Sequence, residues 1–326
     1  MNTFGKYIRL TTFGESHGPA MGGILDGMPS RVQIDRQRVQ EELDRRAPGR
    51  QPNTSARREP DKVEILSGIT DEGLTLGSPI GFIIRNCDAH SADYAGYQEK
   101  FRPNHADYTY YKKYGVHDFR GGGRASARET VNWVVGGAIC RQWLETFGIK
   151  VSAGLIETNN IADTASKGDS TGAIVSGLIE GLPVGVGEPV FDKLSSRLAA
   201  AMMSINAVKA FEYGDGAKAA EMLGSQSLDV SFIDAATGKV SFNANHSGGI
   251  QGGISNGMPV NFKVYFKPTP TLMQQVETID AAGDRVVIDP KGRHDPCVAV
   301  RGVAVVEAMA LLAVADLMRI QWHDNV

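Results

Sequence analysis

Hydrophobic positions recur along the chain at two periods, and these separate helical from extended segments. Val131, Val134, Val135, Ala138 and Ile139 follow the spacing that lines one face of a helix. Ser126 and Glu129 stand just ahead of them in the S-x-x-E arrangement of a capping box, predicting a helix from Ser126 to about Phe147. Leu194, Leu198, Ala201 and Met202 predict another, opened by Asp192. Val39 and Leu43 are the only apolar pair of a short helix that Asp35 caps and Arg46 ends, so most of its surface faces water or a ligand. Val303–Met318 is apolar nearly all round, the mark of a buried central helix.

The second period is two. Val260, Phe262, Val264 and Phe266 alternate, as do Leu228, Val230 and Phe232, which can pair with Val240–Phe242 through a turn holding Asp234, Thr237 and Gly238. Such alternation implies sheets covered on one face, usually antiparallel. Long helices between them predict an α+β fold with helices sandwiched between antiparallel β-sheets. No linker, repeat or low-complexity tract divides residues 1–326, so one domain is expected; Gln51–Glu59, Ala89–Lys100 and Asn159–Thr171, polar and without periodicity, read as mobile passages.

Composition narrows the function. Apolar residues make up 42% and charged residues 22% of the 326, which suits a globular core and excludes disorder as the main state. The net charge of −3 provides no global field for nucleic acid. Locally, residues 31–58 hold eight arginines against four acids, which suits a small polyanion because Arg binds carboxylate and phosphate bidentately. Cys87, Cys140 and Cys297 form no Cys-x-x-Cys pair, which argues against a disulfide frame or a thiolate metal site and for a reducing cytoplasm. The opening MNTFGKYIRLTTFGESHG has no signal-like apolar core, and Glu307 and Asp316 interrupt the most apolar stretch, so no membrane segment is expected.

Thirty-eight glycines, about 12% against a usual 7%, cluster around His and Arg. Gly14-Glu15-Ser16-His17-Gly18 could present an imidazole for proton delivery, although a glycine-rich turn with a solvated His accounts for it equally well. Arg102-Pro103-Asn104-His105-Ala106-Asp107 could orient a second His, or be a surface loop before a helix. Gly121, Gly122 and Gly123 lead into the predicted helix among Arg120, Arg124 and Arg128, where free N–H groups and guanidiniums make an anion site. No Gly-Lys-Ser/Thr follows, so it is not a nucleotide-hydrolysing loop. The 245–257 stretch, NHSGGIQGGISNG, admits a flat ligand or is simply a wide loop. Gly292-Arg293-His294-Asp295-Pro296-Cys297 places a cation, an imidazole and a carboxylate ahead of the buried helix. Gly214, Gly216 and Ala219 fit G-x-G-x-x-A, but the residues before them, Val208-Lys-Ala-Phe-Glu-Tyr213, carry charges where a Rossmann strand is apolar, so the match is fortuitous.

Taken together and in order, GESHG, RP-x-HAD, GGGRASARET, SINAVK, NHSGGIQGG, KPT and GRHDPC resemble the chorismate synthases along nearly the whole chain. The resemblance implies a lyase that converts 5-enolpyruvylshikimate 3-phosphate to chorismate and phosphate by anti-1,4 elimination. It implies reduced FMN without net redox, reducing equivalents from NADPH or an external flavin reductase, a cytoplasmic homotetramer and no metal. By motif match, His17 would be the acid near the departing phosphate, His105 would protonate the reduced ring, and Asp295 would work with flavin N5 to remove the C6 proton. Flavin contacts would fall on Arg124, Ala125, Ser126, Asn206, Ala207, Gly252, Lys267, Pro268, Thr269, Pro270, Thr271 and Arg293. Arg46, Arg58, Arg120 and Arg128 would hold the phosphate and two carboxylates of the substrate. The chain departs from the family pattern at Asn104, usually Gly, and at Pro52, where an Arg is often found and Arg50 could substitute. Two rival readings use the same residues: a histidine-type phosphatase built on Arg293-His294 with His17, and a non-catalytic polyanion-binding module built on the 31–58 segment.

Overall fold

The computed structural model describes residues 1–50, 54, 60–87, 99–288 and 295–324. Strands β1 (Thr3–Phe4), β2 (Arg9–Gly14) and β3 (Ala20–Asp26) are followed by helix α1 (Arg36–Arg46), then β4 (Val63–Ile65) and β5 (Ile80–Arg85). The strands form an antiparallel sheet in the order β1-β2-β3-β5-β4. Helices α2 (Asp107–Tyr114) and α3 (Thr130–Glu145) precede β6 (Lys150–Glu157), α4 (Ile161–Ser166), β7 (Ala173–Glu180), α5 (Leu194–Met203) and β8 (Val208–Tyr213). Next come the hairpins β9 (Ser231–Ile233) with β10 (Val240–Phe242) and β11 (Ile250–Gln251) with β12 (Ile254–Ser255), then β13 (Val260–Phe266). The β14 (Val276–Ile279) and β15 (Arg285–Ile288) hairpin leads toward the last helix, α6 (Ala299–Asp324). A second antiparallel sheet has the order β6-β7-β13-β8.

Between the two sheets lie α1, α3, α5 and α6, with α3 against β2 and β3 and α6 against β6 and β7. This is the α+β sandwich that the two periodicities predict. The predicted hairpin is also present, with Val240 opposite Ile233. One hydrophobic core runs through both sheets and the helical layer. Where α3 crosses α6, a Cβ on Gly137 would stand 2.5 Å from Ala308 Cα, so only glycine permits that approach.

Helix α6 is buried from Ala304 to Met318, including Glu307 and Asp316, and both of these acids are fully engaged. Glu307 accepts from Arg45 of α1 at 2.8 and 2.9 Å, Arg141 of α3 at 2.6 Å and the Ala153 amide of β6 at 3.0 Å. Asp316 takes the amides of Lys6, Tyr7 and Ile8 together with the Arg197 guanidinium. Buried charge is tolerable only when paired and hydrogen-bonded in this way. Among the described residues, no helix is long and apolar enough to cross a membrane.

Three local expectations change. Asp192 does not cap α5: its φ is +60, its carboxylate pairs with Lys6, and Lys193 precedes the first turn. Ser126 and Glu129 do not form a reciprocal box. Ser126 caps a 3-10 turn over Ala127–Glu129, and Glu129 turns to Arg124 at 2.6 Å and Asn132 at 3.2 Å. The 159–171 passage contains α4, which Asn160 caps by accepting from Asp163 N at 2.9 Å. With only Ile161 buried, α4 has no periodicity to reveal it. The G-x-G-x-x-A match leads from an edge strand, β8, into a 3-10 turn rather than a βαβ unit.

Candidate active site

The loops where several elements end converge on one cavity of about 320 Å³. Arg46 closes α1, Ala125–Arg128 lead into α3, Asn206 and Ala207 follow α5, Lys267–Thr271 leave β13, and Asp295–Arg301 open α6. The 102–107 loop completes the wall.

The 102–107 loop is built around a buried carboxylate. Asp107 accepts from Arg102 N at 3.0 Å, Nε at 2.7 Å and Nη2 at 2.8 Å, with His117 Nε2 at 3.3 Å. Burial pushes its pKa up, but the Arg102 hydrogen bonds and charge prevail and hold it below the usual carboxylate range. Burial in turn lowers the pKa of His117. This fork lifts His105 toward the cavity. The His105 Nδ1–H donates to the Pro103 carbonyl at 3.0 Å, because a carbonyl can only accept, and this leaves Nε2 facing Thr271 Oγ1 at 3.2 Å. Asn104 has φ +60, and Lys267 Nζ donates to its carbonyl at 2.9 Å. Asn is among the few residues with a side chain that tolerate such a left-handed turn.

The triple glycine curls with φ of +74, +86 and +54 at Gly121, Gly122 and Gly123. A Cβ on Gly121 would stand 2.6 Å from Cδ2 and 2.7 Å from Nε2 of His17, so glycine alone lets this strand lie on the imidazole. His17 is buried behind that backbone, in the wall rather than in the lining. Of the three arginines beside the glycines, only Arg128 lines the cavity. Arg120 is exposed and held by Asp118 at 3.0 Å; Arg124 turns away to Glu129 at 2.6 Å and Thr12 at 2.8 Å, bracing β2. Gly252 sits at the tip of the β11–β12 hairpin, and Pro268 is also outside the lining. Arg58, Arg293 and His294, and the departure at Pro52, lie outside the described residues.

Arg46 is 2% exposed and its guanidinium is fully directed: Nε to Thr130 Oγ1 at 3.2 Å, Nη2 to Ala127 O at 3.0 Å, and Nη1 to Asp61 Oδ2 at 3.1 Å. Burial, followed by the nearby cations Arg301 and Arg128, lowers its pKa to about 9 despite Asp61. Asp295 reaches Arg301 Nη1 at 2.9 Å, and Arg301 Nε donates to the Arg46 carbonyl at 3.0 Å. Burial and Lys209 lower the pKa of Lys267. Sequence reasoning missed Arg301 and Asp61. An Arg at the start of an otherwise apolar helix could have flagged the first; Asp61 left no local signal.

The Arg-rich 31–58 segment is not a polyanion surface over its described part. Arg38 is held by Glu145 at 2.8 Å, Arg45 by Glu307, and Arg36 donates to the Thr70 carbonyl at 3.1 Å. Among the described arginines of that segment, only Arg46 faces the cavity.

The cavity wall also suits a heteroatom-rich planar ligand. Asn206 Nδ2 donates to the Ala125 carbonyl at 3.0 Å, but Asn206 Oδ1 and Thr269 Oγ1 are buried without a hydrogen-bond partner in the protein. Buried polar atoms are seldom left so. Ala207 holds φ +69, an unfavourable backbone for a residue with a Cβ, and Lys267 N donates to its carbonyl at 2.9 Å. Among the described residues, no group of three or more His, Cys, Asp or Glu could hold a metal ion.

A protein-family model described as chorismate synthase matches residues 8–164 and 157–319. The chain is 48% identical to the chorismate synthase of Christiangramia forsetii, covering 97% of this chain and 96% of that protein. It is 47% identical to the chorismate synthase of Bacteroides thetaiotaomicron, with 97% of each covered. A crystal structure of a chorismate synthase superposes with a TM-score of 0.76 at 27% identity, over 99% of this chain and 98% of that one.

Proposed function

The chain belongs to the chorismate synthase family, and from that premise we propose that it converts 5-enolpyruvylshikimate 3-phosphate to chorismate and phosphate in the cavity described above. The observation that carries the reading is the meeting of Arg46, Arg128, His105 and Asp295, drawn from four separate segments, around one space. A substrate with a phosphate and two carboxylates suits paired guanidiniums, which bind such groups bidentately.

Arg46 and Arg128 hold the anionic groups and fix the ring. Asp295, oriented by Arg301, receives the ring proton. His105 exchanges a proton through Nε2, the ring nitrogen that faces the cavity beside Thr271 Oγ1 while Nδ1 is held by the Pro103 carbonyl. His17, covered by Gly121, supplies a proton toward the departing phosphate, which requires the glycine strand to let the imidazole reach that oxygen. The cofactor is reduced FMN, which when bound supplies the electron density that eases loss of an allylic phosphate without net redox. Ala125, Ser126, Asn206, Ala207, Lys267 and Thr269–Thr271 would hold it, with Asn206 Oδ1 and Thr269 Oγ1 as the waiting acceptors. Of the remaining flavin contacts expected from the motifs, Arg124, Gly252 and Pro268 have no place in this lining, and Arg293 lies outside the described residues.

The reductant is NADPH or an external reductase, and the setting is the cytoplasm, in keeping with three free cysteines. The chain forms one domain and assembles as a homotetramer; Val230, Phe232, Ile233 and Val240, all about half exposed or more, are apolar surface that assembly would cover. The test is anaerobic turnover of the phosphorylated substrate. Chorismate and phosphate should appear together with chemically reduced FMN and not with oxidised FMN. Release of phosphate without any flavin would overturn the proposal.

A further inference from the structure

Asp61 belongs to none of the motifs, yet it is fully buried and both its oxygens face the cavity arginines. Oδ2 accepts from Arg46 Nη1 at 3.1 Å, and Oδ1 makes a short contact with Arg128 Nη1. Its backbone is in the left-handed region, φ +44, which Asp tolerates better than most residues. Gln40 of α1 secures it there: Nε2 donates to the Asp61 carbonyl at 3.3 Å, while Oε1 accepts from Val63 N at 3.2 Å. The carboxylate is thus delivered to a fixed point behind the two guanidiniums.

Two arginines brought together in a buried wall repel one another and lose hydration, and a third, Arg301, lies close by with Asp295 as its own partner. A shared carboxylate offsets one of the two charges and leaves one for a ligand. It also sets direction. Thr130 and the Ala127 carbonyl hold the far side of Arg46, and Asn86 Oδ1 accepts from Arg128 Nε at 3.1 Å, so with Asp61 each guanidinium is pinned at more than one point. Preorganised donors of this kind bind anions without ordering cost on arrival.

We propose that Asp61 is a positioning residue for anion binding, fixing Arg46 and Arg128 side by side on one wall of the cavity. The inference rests on the reading of that cavity as the substrate site. Its experiment compares wild type, Asp61→Asn, Arg128→Met and the double variant. Under anaerobic conditions with reduced FMN, Asp61→Asn should raise KM about tenfold while kcat stays within about threefold, the pattern of lost ground-state binding. In the Arg128→Met background, where Asp61 still holds Arg46, the same change should raise KM by less than it does in wild type, because partners in one network are not additive. Unchanged KM in Asp61→Asn, a fall in kcat at constant KM, or full multiplication of the two effects would overturn it.

Should Asp61→Asn not fold by near-UV circular dichroism, Asp61→Glu takes its place. It keeps the charge but shifts the carboxylate, so a raised KM supports positioning and a wild-type KM refutes it. If wild type itself does not turn over the substrate, the fault lies in the underlying reading. The inference is then judged on the Kd of inorganic phosphate, which should be weaker in whichever Asp61 variant folds than in wild type and would count against positioning if equal.

Discussion

At residue 104 the backbone needs φ +60 and the carbonyl takes the Lys267 ammonium, so side-chain identity matters mainly through that turn. Asn104→Gly should therefore retain turnover, whereas Asn104→Val, β-branched in a left-handed position, should cost about 1–2 kcal/mol of stability and lower turnover through a displaced His105. Steady-state assays beside urea melts check both. Gly121→Ala presents a sharper case: its Cβ would stand 2.6 Å from the His17 ring, and φ +74 adds strain. A loss of turnover of tenfold or more, about 1.4 kcal/mol at the barrier, is expected; wild-type activity would show that the glycine strand does not need to lie on the imidazole. At this scale the sequence was readable where chemistry is packed locally. His17, His105, Arg128 and Asp295 each sit in a short stretch with Gly, Arg or Asp neighbours. Asp61 was not, because its partners lie 15 and 67 residues away, and Arg301 meets the Arg46 carbonyl across 255 residues.

The helices repeat that lesson at larger size. All-round apolarity marks α6 as central, and alternation marks β13 as half-covered, because burial leaves its imprint on every residue of an element. The identity of the partners of a lone buried acid has no such imprint. Glu307 and Asp316 are legible as interruptions, but their roles as pins emerge only when α1, α3, α5, β6 and the β1–β2 turn gather round them. The predicted capping box at Ser126 failed for the same reason: Arg124, also braced on β2, competes for Glu129 and wins. Asp316→Asn leaves the Arg197 guanidinium and three amides around a neutral group, and breaking a buried pair in this way should cost about 3–5 kcal/mol in urea unfolding. A loss below about 1 kcal/mol would mean that this pin contributes little beyond an ordinary hydrogen bond.

For the whole molecule, stability and assembly follow from burial. His117 has a lowered pKa because it is buried, so the folded state binds fewer protons than the unfolded chain below about pH 6.5. Its contribution is complete above that pH and is lost as pH falls toward the folded value. Asp107 has the same sign in a lower window, below about pH 3.9. Between pH 7 and 5.5, wild type should lose more stability than His117→Gln; equal losses would remove the assignment. On the proposed homotetrameric assembly, Phe232, 48% exposed on the β9–β10 hairpin, should when replaced by Glu shift sedimentation toward smaller species, and an unchanged profile would place the interface elsewhere. The layered architecture was readable in advance because periodicity reports which faces are covered. The cavity was not, since it exists only where the ends of separate elements meet. A crystal structure of the ternary complex with oxidised FMN and the phosphorylated substrate tests that meeting most directly. Both molecules should lie against the residues that line this cavity, with substrate anions on Arg46 and Arg128 and the flavin against Asn206 and Thr269. Substrate bound away from those two guanidiniums would contradict it.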